Sequence, residues 1–112
     1  MNAIDQAKKH FHDKEIIEVV VPEWGDESGP LVIYGDPPTL REKNRVKKRS
    51  DKDGLEALAF AVILKAKDKD GEKLFTIKDL NDLVHNVDPD VLARVAGELL
   101  GTNDDGEPEK KS

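Results

Sequence analysis

The sequence contains no cysteine, and this absence removes several kinds of site at once. Without thiols the chain cannot form disulfides, bind zinc or an iron–sulfur cluster through sulfur, or use a thiol nucleophile. Serine is also scarce: Ser28, Ser50 and Ser112 are the only three, and none has a His and an Asp beside it in a nucleophile context. We therefore expect a protein that is not an enzyme.

Long apolar segments are missing too. The longest apolar stretch, residues 55–64, is interrupted by Glu56 and is too short to cross a bilayer. Residues 1–12 lack the continuous apolar run of a signal peptide. We therefore expect an intracellular protein with no membrane partner. Neither a Walker phosphate loop nor a Gly-x-Gly-x-x-Gly fingerprint occurs, so no nucleotide cofactor is expected.

Metal ligands are present only in unfavourable patterns. His10 and His12 are two residues apart, and on a helix such side chains point away from one another. The acidic segment 68–72 suggests a calcium loop, but Lys73 occupies the sixth position, where glycine is needed, and Asp79 replaces the twelfth-position glutamate. We therefore expect no metal site.

The composition indicates one small folded domain. The chain has 112 residues, of which 37% are hydrophobic and 38% charged, and its net charge is -6. These values suit a single compact core with a highly charged surface, and the net charge argues against general nucleic-acid binding. Residues 102–112 contain no apolar side chain and are predicted to form a disordered acidic tail beyond a domain at 1–101.

Apolar periodicity and turn residues predict an α+β fold in which a small β-hairpin packs with a mainly helical bundle. Thr39 and Glu42 match a capping box, and Asp88 followed by Pro89 is typical of a helix start. The predicted elements are a helix at 2–12, strands at 15–21 and 31–34 with a loop at 25–29, helices at 39–49 and 55–66, a turn at 68–72, a short extended piece at 74–75, and helices starting at 76 and 88.

A basic block stands out in this acidic chain. Residues 41–52 carry seven positive and two negative side chains, a local net charge of +5. Three interpretations remain open: a solvated helix face, a docking surface for an acidic protein segment, or a nucleic-acid contact. No aromatic residue interleaves with the block, which argues against stacking on single strands. The candidate partner-binding residues of this helix are Arg41, Arg45, Lys48 and Arg49.

Trp24 is the only tryptophan and lies in the predicted first loop, next to Pro22 and Gly25. A tryptophan in such a loop either covers the edge of the core or anchors a partner. We include Trp24 among the candidate partner-binding residues.

Short segments of the chain occur in a distinctive order. They are IEVVVPEWGD at 17–26, GPLVIY at 29–34, PTLREKN at 38–44, LKAKD at 64–68, GEKLFT at 71–76 and DPDVLAR at 88–94. In this order they resemble the tail assembly chaperones of long-tailed bacteriophages and prophages, and the resemblance covers residues 1 to about 101.

The resemblance implies a protein that coats the long tape-measure protein before the tail tube polymerises. Its partners would be the tape-measure protein and, as a second candidate, the tail tube protein. It would act in the host bacterial cytoplasm and be absent from the finished virion. Linked copies would bind a long client with greater avidity, so a homo-oligomer is a further expectation.

Two other hypotheses remain. The alternative function is a small DNA-binding regulator that uses the basic helix 39–49, with residues 50–54 as the turn of a helix-turn-helix pair. The helix that follows, however, is too apolar to enter a DNA groove. The third hypothesis is an enzyme of an unrecognised class.

Overall fold

The computed structural model describes residues 2–49 and 55–101 of the chain. Within these ranges the fold is α+β, as predicted: a two-stranded antiparallel hairpin packs with a group of helices. No helix in this part of the chain combines the length and apolar content needed to span a membrane. The predicted tail at 102–112 and the predicted turn at 50–54 lie outside the described residues.

The strands are β1 (Ile17–Asp26) and β2 (Gly29–Gly35). Val19 pairs with Ile33 in antiparallel register, and both side chains are buried. Their neighbours Val20 and Val32 pair on the opposite face of the hairpin, since side chains alternate along a strand. The hairpin therefore contributes one face to the core.

The first strand is longer than predicted, and the prediction that it ends at Pro22 was wrong. It continues to Asp26, which pairs with Gly29, so much of the predicted loop at 25–29 belongs to the strands. Proline cannot donate a ladder hydrogen bond, and accordingly the register shifts between Val21 and Asp26. The strand thus accommodates Pro22 in an irregular stretch instead of ending there.

Five α-helices lie within the described residues. They are α1 (Ala3–His12), α2 (Leu40–Lys48), α3 (Leu55–Lys65), α4 (Leu80–His85), which a 3-10 turn at Ile77–Asp79 precedes, and α5 (Pro89–Leu100). The side chains of Thr39, Thr76 and Asp88 cap α2, the 3-10 turn and α5 at the predicted positions. Gly101 ends α5 in the left-handed conformation that favours glycine.

The helix α3 forms the centre of the core. All of residues 59–63 are buried, because α5 packs on one side of α3 while α4 and α2 pack on others. One face of α5 also packs against β1 and buries Val91, Leu92, Val95, Ala96 and Leu99.

The segment after α3 forms the predicted turn but no further strand. The Asp68 carboxylate accepts hydrogen bonds from the backbone amides of Asp70 and Glu72. Lys67 makes two backbone hydrogen bonds with Tyr34, each of 2.8 Å, which attach this segment to β2. The predicted extended piece at 74–75 joins no strand, and the neighbouring Lys73 forms an isolated bridge with Lys67.

Candidate partner-binding surface

The first helix exposes its apolar stripe. Asn2 caps α1 by accepting a hydrogen bond from the Asp5 amide at 3.0 Å, and Lys9 forms an ion pair with Asp13 at 2.8 Å. Ile4 and Phe11, which share one face of the helix, are 62% and 38% exposed, and no residue of α1 is buried. An amphipathic helix normally buries its apolar face, so this stripe is free to contact another molecule.

An apolar groove lies between this stripe and the start of α2. Its volume is about 660 Å³, and the second wall contains Leu40, which is 85% exposed. We name it the α1–α2 groove. It is lined by Ile4, Ala7, Lys8, Phe11, His12, Pro38, Thr39 and Leu40.

A hydrogen-bond network fixes the second wall of the groove. The Thr39 hydroxyl accepts from the Glu42 amide at 3.1 Å, and the Glu42 carboxylate accepts from the Thr39 amide at 3.0 Å. The same carboxylate oxygen accepts from the Lys65 ammonium at 2.8 Å, and Lys65 is only 3% exposed. The start of α2 is therefore attached to the central helix α3 through a largely buried ion pair.

The Glu42 carboxyl is affected by two opposed influences. Burial raises its pKa, but hydrogen bonds from the Lys65 ammonium and the Thr39 amide outweigh burial and bring the pKa below its ordinary value. Glu42 is therefore a carboxylate near neutral pH, and its charge is already matched by that of Lys65.

The surroundings of the groove are cationic. Lys8 lines it, and Arg41 lies beside Leu40 at the edge of a neighbouring hollow. A second hollow of about 480 Å³ continues from Phe11 and His12 and is lined by Lys14, Ile16, Asp36, Glu42, Lys65 and Lys67, among others. Of its carboxylates, Asp36 pairs with Lys67 at 3.0 Å and Glu42 pairs with Lys65.

The predicted residues of the basic helix divide into two groups. Arg45 and Arg49 place their guanidinium groups 5.7 and 4.8 Å from the centre of the Phe60 ring, in cation–π geometry. Arg49 also lies 3.7 Å from the Glu56 carboxylate. Arg41 and Lys48 are exposed and form no ion pair within the described ranges 2–49 and 55–101.

Trp24 lies in the second half of β1, not in a loop as predicted. Its ring meets that of Phe75 edge-on, with 6.3 Å between the ring centres, and it is partly buried. Its neighbour Glu23 forms two hydrogen bonds with the Arg94 guanidinium, each of 2.9 Å. Trp24 thus covers an edge of the core, and the structure does not bring it together with the residues of α2.

The Glu23–Arg94 pair perturbs the Glu23 carboxyl. Hydrogen bonds from Arg94 lower the pKa of Glu23 from its ordinary value of 4.5 to about 2, and the backbone amide of Glu23 contributes to this effect. The pair joins β1 to α5 on an exposed surface. Within the described residues, no group of three or more His, Asp or Glu side chains is arranged to hold a metal ion.

The sequence interpretation overlooked the groove. Apolar periodicity predicted the helix at 2–12, but it does not show whether a neighbour covers the apolar face of that helix. Leu40 lies in α2, where most residues are charged, so the sequence of that helix shows no apolar stripe. The sequence does contain one signal of an exposed apolar surface. Apolar side chains at residues 4–16 and at position 40 exceed the number that the predicted core needs.

Comparisons of this chain with models of protein families, with curated proteins and with solved structures give no match.

Proposed function

We propose that this protein is a tail assembly chaperone of a long-tailed bacteriophage or prophage and that it binds the tape-measure protein during tail assembly. The observation that carries the proposal is the exposed apolar α1–α2 groove. A carrier of a long, aggregation-prone client needs an apolar surface to bind it and nearby charge to keep the complex in solution. The order of the sequence segments between residues 17 and 94 supports the same function.

The proposal includes the cellular setting that the family resemblance implies. The chaperone acts in the host bacterial cytoplasm, holds the tape-measure protein until tube subunits surround it, and is absent from the finished virion. The tail tube protein is its second partner. Several copies bind along one client, because linked weak contacts give a higher overall affinity than single ones.

The test is co-expression with the tape-measure protein encoded in the same genome. We expect the chaperone to keep that protein soluble and to co-purify with it. The double variant Ile4→Glu/Phe11→Glu places charge in the groove at exposed positions and should abolish co-purification without unfolding the protein. Ile77→Glu is the matched control, since Ile77 is also apolar and 52% exposed but lies outside the groove.

Two results would contradict the proposal. One is retention of the tape-measure protein by the double groove variant at the wild-type level. The other is failure to bind the tape-measure protein combined with salt-dependent binding to duplex DNA, which would favour the regulator. Arg45 and Arg49 contact the Phe60 ring within the chain. The exposed cations of α2 that remain for DNA binding are Arg41, Lys43, Lys47 and Lys48.

A further inference from the structure

The charges of α1 are unevenly distributed around its axis. At about 100° per residue, Ile4, Ala7 and Phe11 fall within a sector of about 60°. Lys8 lies about 70° from the centre of that sector, at the border of the apolar stripe. The acidic residues Asp5 and Asp13 lie about 130° and 150° away, on the far side of the helix.

The far side of α1 is internally neutralised, whereas the groove side is not. Asp13 pairs with Lys9 on the far side. Lys8 forms no ion pair within the described part of the chain, and the same is true of Arg41, which follows the groove residue Leu40 and borders a neighbouring hollow. The nearby carboxylates Asp36 and Glu42 are already paired with lysines. Among the described residues, the apolar groove thus has one unmatched positive charge on its α1 wall, Lys8, and a second beside its α2 wall, Arg41.

We propose that the α1–α2 groove binds an amphipathic α-helix of the partner whose apolar stripe is flanked by Glu or Asp. The apolar side chains of that helix fill the space between Ile4, Phe11 and Leu40, and its acidic side chains meet Lys8 and Arg41. This inference rests on the proposed function, and for the tape-measure protein it specifies which helical segments the chaperone recognises.

The length of α1 limits the size of the bound segment. Ten residues of helix extend about 15 Å, so the groove contacts about three turns of a partner helix. Contacts of this size are weak individually. Recognition of a long client therefore requires the acidic amphipathic pattern to recur along it.

Two other occupants fit the groove less well. A second copy docking through its own α1 would bring Lys8 of one chain against the cationic border of the other, and like charges in contact oppose association. A flat anionic lipid surface would attract Lys8 and Arg41 but would not fill a concave groove between two walls.

The experiment uses three synthetic helical peptides of about 15 residues with the same leucine stripe and flanks of Glu, Gln or Lys. Binding of each dye-labelled peptide to the full chain is measured by fluorescence anisotropy at low and high salt. We expect the Glu peptide to bind roughly tenfold more tightly than the Gln peptide at low salt. The advantage should shrink at high salt, because the contacts are exposed and screened.

Charge-reversed variants test the assignment of the walls. Lys8→Glu/Arg41→Glu should lose the preference for the Glu peptide and favour the Lys peptide. Lys9→Glu is the matched control, since Lys9 carries the same charge on the far side of α1, and it should retain the wild-type preference. Circular dichroism of each variant establishes that the fold is kept.

Several outcomes would overturn the inference. They are equal affinity for all three peptides, binding that Ile4→Glu does not weaken, dimerisation through the groove in sedimentation experiments, and binding to anionic vesicles in preference to the Glu peptide. In one outcome, Ile4→Glu/Phe11→Glu abolishes binding of the tape-measure protein but Lys8→Glu/Arg41→Glu leaves that binding unchanged. This result would refute the present inference and leave the proposed function standing. Tight binding of the Glu peptide without binding of the tape-measure protein would refute the proposed function alone.

Discussion

At the scale of single residues, the ion pair between Lys65 and Glu42 attaches the start of α2 to α3. The Lys65 ammonium lies inside the fold, and its hydrogen bond to Glu42 is 2.8 Å long. Removing one member of a buried pair leaves the other charge without compensation, which costs more than the pair itself contributes. This residue pair therefore connects the stability of the core to the shape of the groove.

Glu42→Gln keeps an acceptor for the Thr39 amide but removes the charge that compensates Lys65. We expect the free energy of unfolding to fall by about 2 kcal/mol. Asp36→Asn, which breaks the exposed pair with Lys67, should cost less than about 1 kcal/mol. Urea denaturation followed by far-ultraviolet circular dichroism measures both, and equal effects of the two substitutions would contradict this account.

The Glu23–Arg94 pair makes stability depend on pH. Because the pKa of Glu23 is about 2 in the folded chain and 4.5 ordinarily, the unfolded state takes up the proton first as the pH falls. The stabilisation is complete above pH 4.5 and is lost as the pH falls towards 2. Glu23→Gln should therefore flatten the dependence of the free energy of unfolding on pH across this window.

The change should be small, since the pair lies on the surface. Urea denaturation at closely spaced pH values from 5 to 2 measures it. The control is Glu27→Gln, which removes a carboxylate of the same type that has no bond to a cation in the described part of the chain. A slope for Glu23→Gln that matches the wild type would show that the pair does not survive in solution.

At the scale of elements, the second half of β1 depends on one glycine. A Cβ at Gly25 would contact the carbonyl oxygen of Gly29 and lie 2.7 Å from the Cα of Pro30, and both are backbone atoms that cannot move aside independently. The absence of a side chain at Gly25 thus allows the end of β1 to lie close to β2.

Gly25→Ala should therefore force the strands apart at the end of the hairpin and destabilise the protein by about 1–3 kcal/mol. Ser28→Ala, in the adjacent turn, adds no atom at this contact and should have little effect. Thermal unfolding followed by circular dichroism compares the two variants. A midpoint for Gly25→Ala equal to that of Ser28→Ala would contradict the proposed packing.

Most elements could be predicted because their signals are local. The capping box at Thr39 and Glu42, the Asp88–Pro89 start and the Gly101 stop each act within one helical turn. The extension of β1 could not, because it depends on the approach of Gly25 to β2 and on the contact of Trp24 with Phe75. Trp24 and Phe75 are distant in sequence, and no local pattern shows that Gly25 comes so close to Gly29 and Pro30.

The candidate site divides in the same way. The charge of α2 was evident in the sequence, but the contacts of Arg45 and Arg49 with the Phe60 ring depend on how α2 packs on α3. The exposure of α1 depends on what the rest of the chain leaves uncovered. Both are properties of the assembled fold, so the sequence alone could not separate binding residues from packing residues.

At the scale of the whole molecule, α1 is separable from the core. None of its residues is buried, whereas every other helix contributes at least one buried side chain. The hairpin and the helices from α2 to α5 therefore form the stable unit, and α1 supplies one wall of a binding surface.

Deletion of residues 2–12 should change the free energy of unfolding by less than about 1 kcal/mol, because no residue of α1 is buried in the core. The same deletion should abolish co-purification of the tape-measure protein. Urea denaturation and the co-expression assay measure the two effects, and Ile4→Glu/Phe11→Glu should likewise keep the stability and lose co-purification. Global unfolding of the truncated chain would show that α1 belongs to the core.

The position of Trp24 gives this molecule an internal optical reporter. It is the only tryptophan, and its ring is partly buried against Phe75, outside the lining of the α1–α2 groove. Its emission should shift to longer wavelength when the core unfolds and stay constant when a ligand without tryptophan fills the groove. One fluorescence spectrum can therefore distinguish a variant that has lost its fold from one that has lost only its partner.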